Sequence, residues 1–246
     1  MDKVIPKLEE AIHDIEDGAL IAIGGFFTCG VPRDLLKAII SKGIKDLTFA
    51  CGSGPLLGAK EEMSELVANN QIKKVIDSYG LARSTSKGLD DPFEAQVRAN
   101  KIELEVVPMG TLAEKYRAAG AGIPAFYVKT GAGTFVEDGL VTNFSENTNG
   151  KETKIIDGEK YVLEYSIKPD FALVHAYMGD KEGNLYYRKT ARNFNHVMAT
   201  AGKVTIAEVE KIVEPGEIDS HCIHTPGIYV QRVVQVSRRE FEITID

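Results

Sequence analysis

The chain has 246 residues, of which 43% are hydrophobic and 26% are charged, and its formal net charge is −7. This composition is ordinary for a globular protein and is sufficient for one large α/β domain or two small ones. The acidic balance, with no basic run to offset it, argues against a nucleic-acid-binding surface. The N-terminus does not resemble a signal peptide, and no apolar stretch approaches the roughly 20 residues of a membrane span. Three scattered cysteines are too few for a disulfide framework. We therefore expect a cytoplasmic protein.

The first predicted elements are an amphipathic helix and a strand–loop–helix unit. Apolar residues between positions 5 and 15 fall on one helical stripe. The run LIAI at 20–23 is apolar throughout, which is typical of a strand buried on both faces of a parallel sheet. Pro32 suits a first helical turn, and apolar residues at helical spacing follow it to position 40.

Three glycines, Gly24, Gly25 and Gly30, lie between this strand and this helix. One interpretation is that they only allow tight packing of the strand against the helix. The other is that they let a ligand approach the backbone near a positive helix terminus. The local pattern does not separate these two interpretations.

Further strand–turn–helix units follow up to about residue 130. Strands are predicted within 46–54, 72–80 and 101–110, with helices between them to about Asn70 and over 93–100. Thr111 and Glu114 form a T-x-x-E capping box that predicts a helix start. Repeated units of this kind predict a mostly parallel sheet with right-handed crossovers.

The second half of the chain is richer in β-structure. A polar loop is predicted over 141–153, and Asp157-Gly158 between apolar stretches predicts a hairpin. Strands over 171–178, 185–190 and 203–213 and a helix over 191–201 follow. The predicted fold is α/β, an open and mostly parallel sheet flanked by helices, with a β-rich elaboration in the second half and a single domain over 1–246.

Several stretches resemble the α (A) subunits of family I coenzyme A transferases, in particular the 3-oxoacid group. The stretch DGALIAIGGFFTCGVP at 17–32 resembles the first signature of that family, roughly D-G-x4-5-G-G-F-x3-G-x-P. The resemblance continues in order over nearly the whole chain, through PMGTLAEKYRAAGAGIPAFYVKTGAGT, KTARNFNHVMATAGKVTIAEVE and EPGEIDSHCIHTPGIYVQRVV.

The resemblance implies a ping-pong transfer of coenzyme A (CoA) between an acyl-CoA and a short carboxylic acid. In the family, a β-subunit glutamate attacks the acyl-CoA and becomes a glutamyl-CoA thioester, which the incoming acid resolves. The implied partner is therefore a β subunit in an α2β2 heterotetramer. CoA is a substrate, and no permanently bound cofactor or metal is expected.

The family's nucleophile lies in an S-E-N-G motif at the end of a β-subunit strand. Ser145-Glu146-Asn147 in this chain looks similar, but its polar surroundings indicate a solvated loop acid rather than a rigidly held nucleophile. The resemblance places the corresponding turn at residues 50–54, where no carboxylate occurs. We therefore expect no catalytic glutamate in this chain and no activity without the β subunit.

The resemblance also implies which residues line the site for substrate and CoA: Gly24, Gly25, Phe26, Gly30, Cys51, Gly52, Met109 and Gly110. Where 3-oxoacid α subunits usually read S-N-N-A-G and P-Q-G, this chain has ACGSG at 50–54 and PMG at 108–110. Cys51 and Met109 are weak hydrogen-bonding partners. We therefore expect a less polar acid, such as acetate or butyrate, to be preferred over succinate.

Other chemistry-bearing residues have two interpretations each. Cys51 is either a thiol nucleophile or, more simply, a small semi-buried residue, since no histidine neighbours it in sequence. The HCIH stretch (221–224) has metal-ligand types but no second ligand cluster, so we do not expect a metal. A basic group within 188–193 either meets CoA phosphates or is a surface patch or interchain contact. The turn at 131–133 either lines the site or only reverses the chain.

Two other function classes are considered. A sugar-phosphate isomerase-like enzyme would need its own acid and base in the glycine turns, and these turns carry none. A non-catalytic effector-binding module of a regulator would normally accompany a DNA-binding segment, and no basic helix-turn-helix pattern is visible. The CoA transferase interpretation is therefore preferred.

Overall fold

The computed structural model describes residues 1–54, 58–79, 91–144 and 149–237. The helices are α1 (Leu8–Ala11), α2 (Arg33–Lys42), α3 (Lys60–Ala68), α4 (Pro92–Arg98), α5 (Met109–Gly120) and α6 (Asn195–Ala201). The strands are β1 (Leu20–Ile23), β2 (Leu47–Ala50), β3 (Ile72–Asp77), β4 (Glu103–Val106), β5 (Ala125–Val128), β6 (Thr153–Ile156), β7 (Glu159–Tyr165), β8 (Phe171–Asp180), β9 (Leu185–Tyr186), β10 (Val204–Val213) and β11 (Arg232–Gln235).

The main sheet has the strand order β11-β10-β8-β1-β2-β3-β4, and all of these pairings are parallel. Of the described strands of this sheet, only the short β9, which pairs with β8, runs antiparallel. The sheet grows outward from β1 in both directions, with β2, β3 and β4 on one side of it and β8, β10 and β11 on the other. β1 is therefore the point at which the order of the strands reverses. The expected open, mostly parallel sheet flanked by helices is confirmed.

Two apolar layers cover the two faces of this sheet, which explains why β1 is apolar throughout. Ile21 and Ile23 of β1 belong to the layer that also contains α2, α3 and α4. Ala22, between them, faces the layer formed with α5 and α6. Each fully buried Ile side chain contributes about 1.5–3 kcal/mol of transfer free energy, so β1 is held from both sides.

The β-rich elaboration is a separate three-stranded antiparallel sheet with the order β5-β7-β6. Its tight turn is the predicted hairpin, with Asp157 at φ 51° and Gly158 at φ 79°. Two successive positive φ angles are what a type I′ hairpin turn requires, and Asp-Gly supplies them at low cost. The hairpin prediction is confirmed.

Three local predictions differ from the structure. The N-terminal helix is limited to a single turn, α1. The capping box is wrong, because α5 already begins at Met109, the buried Thr111 hydroxyl has no hydrogen-bond partner, and Glu114 pairs with Arg117. The helix predicted over 191–201 is divided into a 3-10 turn, Lys189–Arg192, and α6.

Two expectations stay predictions. The single-domain organisation is one of them. The assignment of Ser145-Glu146-Asn147 to a solvated loop is the other, because these residues lie outside the described ranges. Among the described residues, no helix combines the length and the apolar character that crossing a membrane would take.

Candidate functional site

The loops at the carboxyl ends of β1, β2, β3 and β4 meet at one edge of the main sheet. Phe27 N donates to Ser53 O at 3.1 Å, which joins the loop after β1 to the turn after β2. Gly54 N donates to the Asp77 carboxylate at 3.1 Å, and Val107 N donates to Asp77 O at 3.0 Å. Ligands of open α/β sheets bind at this edge, outside the strand ends and next to the point where strand order reverses. The predicted site residues are therefore brought together here.

The glycines after β1 are approached closely by other parts of the same chain. A Cβ atom added to Gly24 would lie 1.9 Å from Asn195 Oδ1, and one added to Gly30 would lie 2.8 Å from Ala191 O. Gly25 has φ +111°, and a Cβ there would lie 2.7 Å from Val31 Cγ2. Intramolecular packing is thus sufficient to explain the three glycines, and their contact with substrate stays a prediction.

Asn195, the first residue of α6, is the residue that fills the space beside these glycines. It is fully buried, and its Oδ1 accepts from His175 N at 3.1 Å. Its Nδ2 donates to Gly30 O at 2.9 Å and to Ala191 O at 2.8 Å. Sequence reasoning missed this role, because an asparagine in a polar stretch gives no sign that it will be buried.

Three half-exposed aromatic rings surround the tip of the loop that contains these glycines (residues 24–32, the glycine loop). Phe27 lies 5.6 Å from Phe26 and 5.7 Å from Tyr79, measured between ring centroids. Phe27 also has φ 48°, a conformation uncommon outside glycine, asparagine and aspartate. The loop therefore presents apolar surface at the predicted substrate edge, and Phe26 is part of it.

Cys51 and Gly52 lie beneath this surface. The Cys51 side chain is fully buried, and burial, followed by the charge of Asp77, raises the pKa of its thiol well above the usual value. Cys51 is thus more deeply buried than the semi-buried residue that the sequence suggested, and direct contact of its sulfur with a substrate has no support. Gly52 packs against Phe194, and a Cβ added to Gly52 would lie 2.3 Å from Cδ2 of the Phe194 ring. Participation of these two residues in binding stays a prediction.

Asp77, at the end of β3, is a buried carboxylate that sequence reasoning did not single out. Both of its oxygens accept from Gly54 N, and Oδ1 also accepts from Tyr79 N at 3.1 Å. Burial outweighs these hydrogen bonds and raises the pKa of Asp77 to about 6. Its carboxylate holds the turn after β2 rather than facing a ligand.

Met109 and Gly110 are the open part of this edge. Met109 is 47% exposed at the first position of α5. Apart from its chain neighbours and the adjacent backbone of α5, no atom of the described residues lies within 4 Å of the position where a Cβ of Gly110 would stand. The Met109 side chain and the start of α5 are therefore accessible at this edge, and their contact with a substrate stays a prediction.

On the other side of the glycine loop, a buried acid caps α2. Glu208 Oε2 accepts from Asp34 N at 3.0 Å and from Leu35 N at 2.9 Å. Its Oε1 lies 2.8 Å from His175 Nδ1, and Glu210 lies 3.6 Å from His175 Nε2. Burial lowers the pKa of His175, but the two carboxylates outweigh burial and raise it. These groups border a cavity of about 50 Å³ beside Gly30.

Of the residues weighed for metal binding, His224 is engaged in packing. His224 Nδ1 accepts from Tyr187 N at 3.1 Å, and its ring stacks on Tyr186 at 5.1 Å. Within the part of the chain that the structure describes, no group of three or more His, Cys, Asp or Glu side chains is arranged to hold a metal ion.

Comparisons with known proteins agree with the geometry. Residues 5–236 match the family described as Coenzyme A transferase. The A subunit of a probable succinyl-CoA:3-ketoacid coenzyme A transferase of Bacillus subtilis is 46% identical over 99% of this chain and 94% of that protein. The corresponding protein of Mycobacterium tuberculosis is 44% identical over 96% and 94%. The A subunit of a 3-oxoadipate CoA-transferase of Pseudomonas putida is 43% identical over 96% and 95%.

Solved structures show the same fold. Glutaconate coenzyme A-transferase from Acidaminococcus fermentans superposes with a TM-score of 0.77 and 26% identity, over 96% of this chain and 76% of that chain. An acyl-CoA transferase from E. coli O157:H7, in a thioester complex with CoA, gives a TM-score of 0.77 at 21% identity, over 96% of this chain and 47% of that one. The resemblance of the sequence motifs is confirmed, and the isomerase and effector-module alternatives receive no support.

Proposed function

The chain belongs to the coenzyme A transferase family, and on that premise we propose that it is the α (A) component of a two-component enzyme that moves CoA between an acyl-CoA and a short carboxylic acid. The transfer proceeds through a glutamyl-CoA thioester whose glutamate belongs to the β subunit. This chain contributes the loops after β1 and β2 and the start of α5 to a site that the β subunit completes. The assembly is an α2β2 heterotetramer, and CoA is a substrate, not a bound cofactor.

The observation that carries this proposal is that, among the described residues at the ends of β2 and β3, no carboxylate is placed to act as a nucleophile. The turn at 50–54 contains no Asp or Glu. Asp77, directly beneath that turn, is 2% exposed and is occupied by backbone N–H groups. A carboxylate must reach the acyl carbon to form a thioester, and Asp77 does not. The relatives are each named as one subunit of a transferase, which agrees with a site completed by a partner chain.

Two observations bear on the acid. The relatives' names favour succinyl-CoA and a 3-keto acid. The exposed Met109 side chain favours a less polar acid, since a thioether offers an apolar wall and only a weak hydrogen-bond acceptor. The fully buried Cys51 contributes no side chain to this choice. The proposal therefore extends to short carboxylic acids as a class.

The test is to purify the chain alone, and with the protein encoded beside it that carries a strand-ending S-E-N-G motif, and to assay CoA exchange. We expect no transfer by the single chain and robust transfer by the complex. Hydroxylamine or borohydride treatment of the complex with acyl-CoA should trap the modified glutamate on the β subunit. Robust transfer by the single chain would overturn the proposal.

Glu146→Ala tests the carboxylate of this chain whose local sequence looks like the family's nucleophile motif. If Glu146 is a solvated loop acid, the complex should keep its activity within about threefold, which corresponds to well under 1 kcal/mol in the barrier. A loss of several orders of magnitude would assign the nucleophile to this chain instead.

A further inference from the structure

Four exposed cations lie close in sequence or space at the carboxyl end of β8: Arg188, Lys189, Arg192 and Lys211. Within the described ranges, no carboxylate forms an ion pair with any of them. This contrasts with other cations of this acidic chain, such as Arg33, which binds two glutamates. A group of uncompensated positive charges in a protein of net charge −7 marks a local site of positive potential.

Tyr177 joins two of these cations. The Arg188 guanidinium carbon lies 5.0 Å and the Lys211 Nζ 5.3 Å from the centroid of its ring. Lys211, and then Arg188, lower the pKa of the Tyr177 hydroxyl. The ring thus fixes a guanidinium, an ammonium and a phenol hydroxyl next to one another, all three of which donate hydrogen bonds.

A row of aromatic rings continues from Tyr177 and its two cations toward the segment that carries Arg192. Tyr177 lies 6.1 Å from Tyr186, and Tyr186 stacks on His224 at 5.1 Å. His224 also stacks on Tyr187 at 6.0 Å, and burial, followed by the positive charge of Arg192, lowers the pKa of His224. The cations therefore border a continuous aromatic surface.

The segment that carries these cations lies on the glycine loop. Thr190 Oγ1 is 3.4 Å from Cys29 Sγ, and Asn193 Nδ2 donates to Cys29 O at 3.0 Å. Asn195 Nδ2 donates to Gly30 O. The positive group is therefore an extension of the substrate edge and not a remote surface patch.

We propose that Arg188 and Lys211, clamped on Tyr177 and supported by Arg192, bind the phosphate groups of the CoA substrate; the proposal rests on the transferase function given above. A guanidinium presents a planar fork that matches phosphate oxygens, and an ammonium adds a point charge. The phosphate-bearing end of CoA is also the part of that substrate that extends farthest from its thiol, so it can reach exposed side chains beyond the site of acyl transfer.

The proposed site would recognise an anion. Two anions of the reaction fit this description: a phosphate group of CoA and the carboxylate of the acid substrate. Acyl-CoA and acyl-pantetheine separate the two sources, since acyl-pantetheine carries the same thioester without phosphates. Arg188→Gln, Lys211→Gln and the double variant remove charge and keep side-chain length. Lys73→Gln with Lys101→Gln is the charge-matched control, because both lysines are exposed and lie toward the amino ends of β3 and β4.

The measurement uses the two-component complex and gives kcat/KM for both donors. We expect the ratio of acyl-CoA to acyl-pantetheine to fall about tenfold for each single variant and further for the double variant, the scale of one lost charge-assisted interaction. The control pair should leave that ratio unchanged. In the wild type, KM for acyl-CoA should rise with salt, whereas KM for acyl-pantetheine should not.

Three results would overturn the assignment: an unchanged donor ratio in the double variant, an equal loss with both donors together with a raised KM for the acid, or dissociation of the complex on analytical ultracentrifugation. Calorimetric titration with adenosine 3′,5′-bisphosphate separates this proposal from the transferase function. Binding that needs Arg188 in a complex that transfers no CoA would support the site and refute the function. Transfer with an unchanged donor ratio would do the reverse.

Discussion

At the scale of single residues, Met109 is the side chain to which the proposed function assigns the choice of acid. It replaces the glutamine of the P-Q-G pattern and is exposed at the start of α5. A polar group of the acid that is left without a partner there costs about 1–3 kcal/mol, whereas an alkyl chain finds an apolar contact.

Met109→Gln should therefore shift the ratio of specificity constants for butyrate and succinate toward succinate by about tenfold, or about 1.4 kcal/mol. Initial rates of the complex with each acid measure this ratio. A wild-type enzyme that already prefers succinate would contradict the role given to Met109, and it would agree with the names of the relatives.

Asp77 gives the site edge a pH dependence. Its folded-state pKa of about 6 lies above its ordinary value of 3.8, so the folded state holds the proton more tightly than the unfolded state does. The resulting stabilisation is fully present below pH 3.8 and is lost as pH rises through about 6. From that shift we expect a loss of about 3 kcal/mol of unfolding free energy between acid and neutral pH.

Urea unfolding of wild type and Asp77→Asn between pH 4 and pH 7.5 measures this effect. The unfolding free energy of the variant relative to wild type should rise with pH, because asparagine does not ionise. Parallel pH profiles for the two proteins would show that Asp77 does not titrate in this range.

Asp77 and Asn195 also show what sequence reasoning can reach at this scale. The pattern located Gly24, Gly30 and Met109 at the site edge, because glycine turns at strand ends and motif spacing are local signals. It did not identify Asn195 as the residue that fits against those glycines, because the two segments are about 170 positions apart in the chain and meet only through the sheet. Burial of a polar side chain is a tertiary property that composition does not encode.

At the scale of elements, the glycine loop and α6 form one packed unit. Gly25→Val would clash with Val31 and strain the backbone, so a loss of activity in that variant would not separate a packing role of the loop from a binding role. Comparing Gly30→Ala with Gly43→Ala is a sharper test. Both glycines have a similar positive φ, +71° and +73°, but of the two only Gly30 has described atoms within 4 Å of an added Cβ.

Gly43→Ala should cost about 1–2 kcal/mol, the penalty for the left-handed conformation alone. Gly30→Ala should cost about 1–3 kcal/mol more, because its methyl group would press against Ala191 O, and it should lower kcat of the complex. Chemical unfolding and steady-state rates check both effects. Equal losses of stability in the two variants would show that the loop does not pack tightly against residues 191–195.

The order of elements was predictable because each central strand is a short apolar run bounded by glycine or polar turns, as LIAI at 20–23 shows. The start of α5 was not, because Pro108 and Met109 carry no capping side chain, and the T-x-x-E pattern two residues later gave the stronger local signal. The small antiparallel sheet was recognised only through its Asp157-Gly158 turn.

At the scale of the whole molecule, a buried charge cluster connects the small antiparallel sheet to the main sheet's helical layer. Glu164 of β7 is 2% exposed and accepts from Lys115 of α5 at 2.7 Å and from Lys151 at 2.5 Å. Lys115 Nζ also donates to Tyr165 O at 3.0 Å. The position of the small sheet against α5 therefore depends on one carboxylate shared by two ammonium groups.

Glu164→Ala should lower the unfolding free energy by about 3–5 kcal/mol, because it leaves the buried Lys115 ammonium without its counter-charge. The double variant Lys115→Met with Glu164→Leu should lose much less, because apolar groups of similar volume then replace the whole pair.

Glu159→Ala on the same strand is the control. Its partner Lys129 is exposed, and an exposed pair of this kind adds little to stability. Chemical unfolding of the four proteins, followed by circular dichroism, measures these differences. If Glu164→Ala were no more harmful than Glu159→Ala, the cluster would not connect the two sheets, and packing of β5 against α5 would hold them together instead.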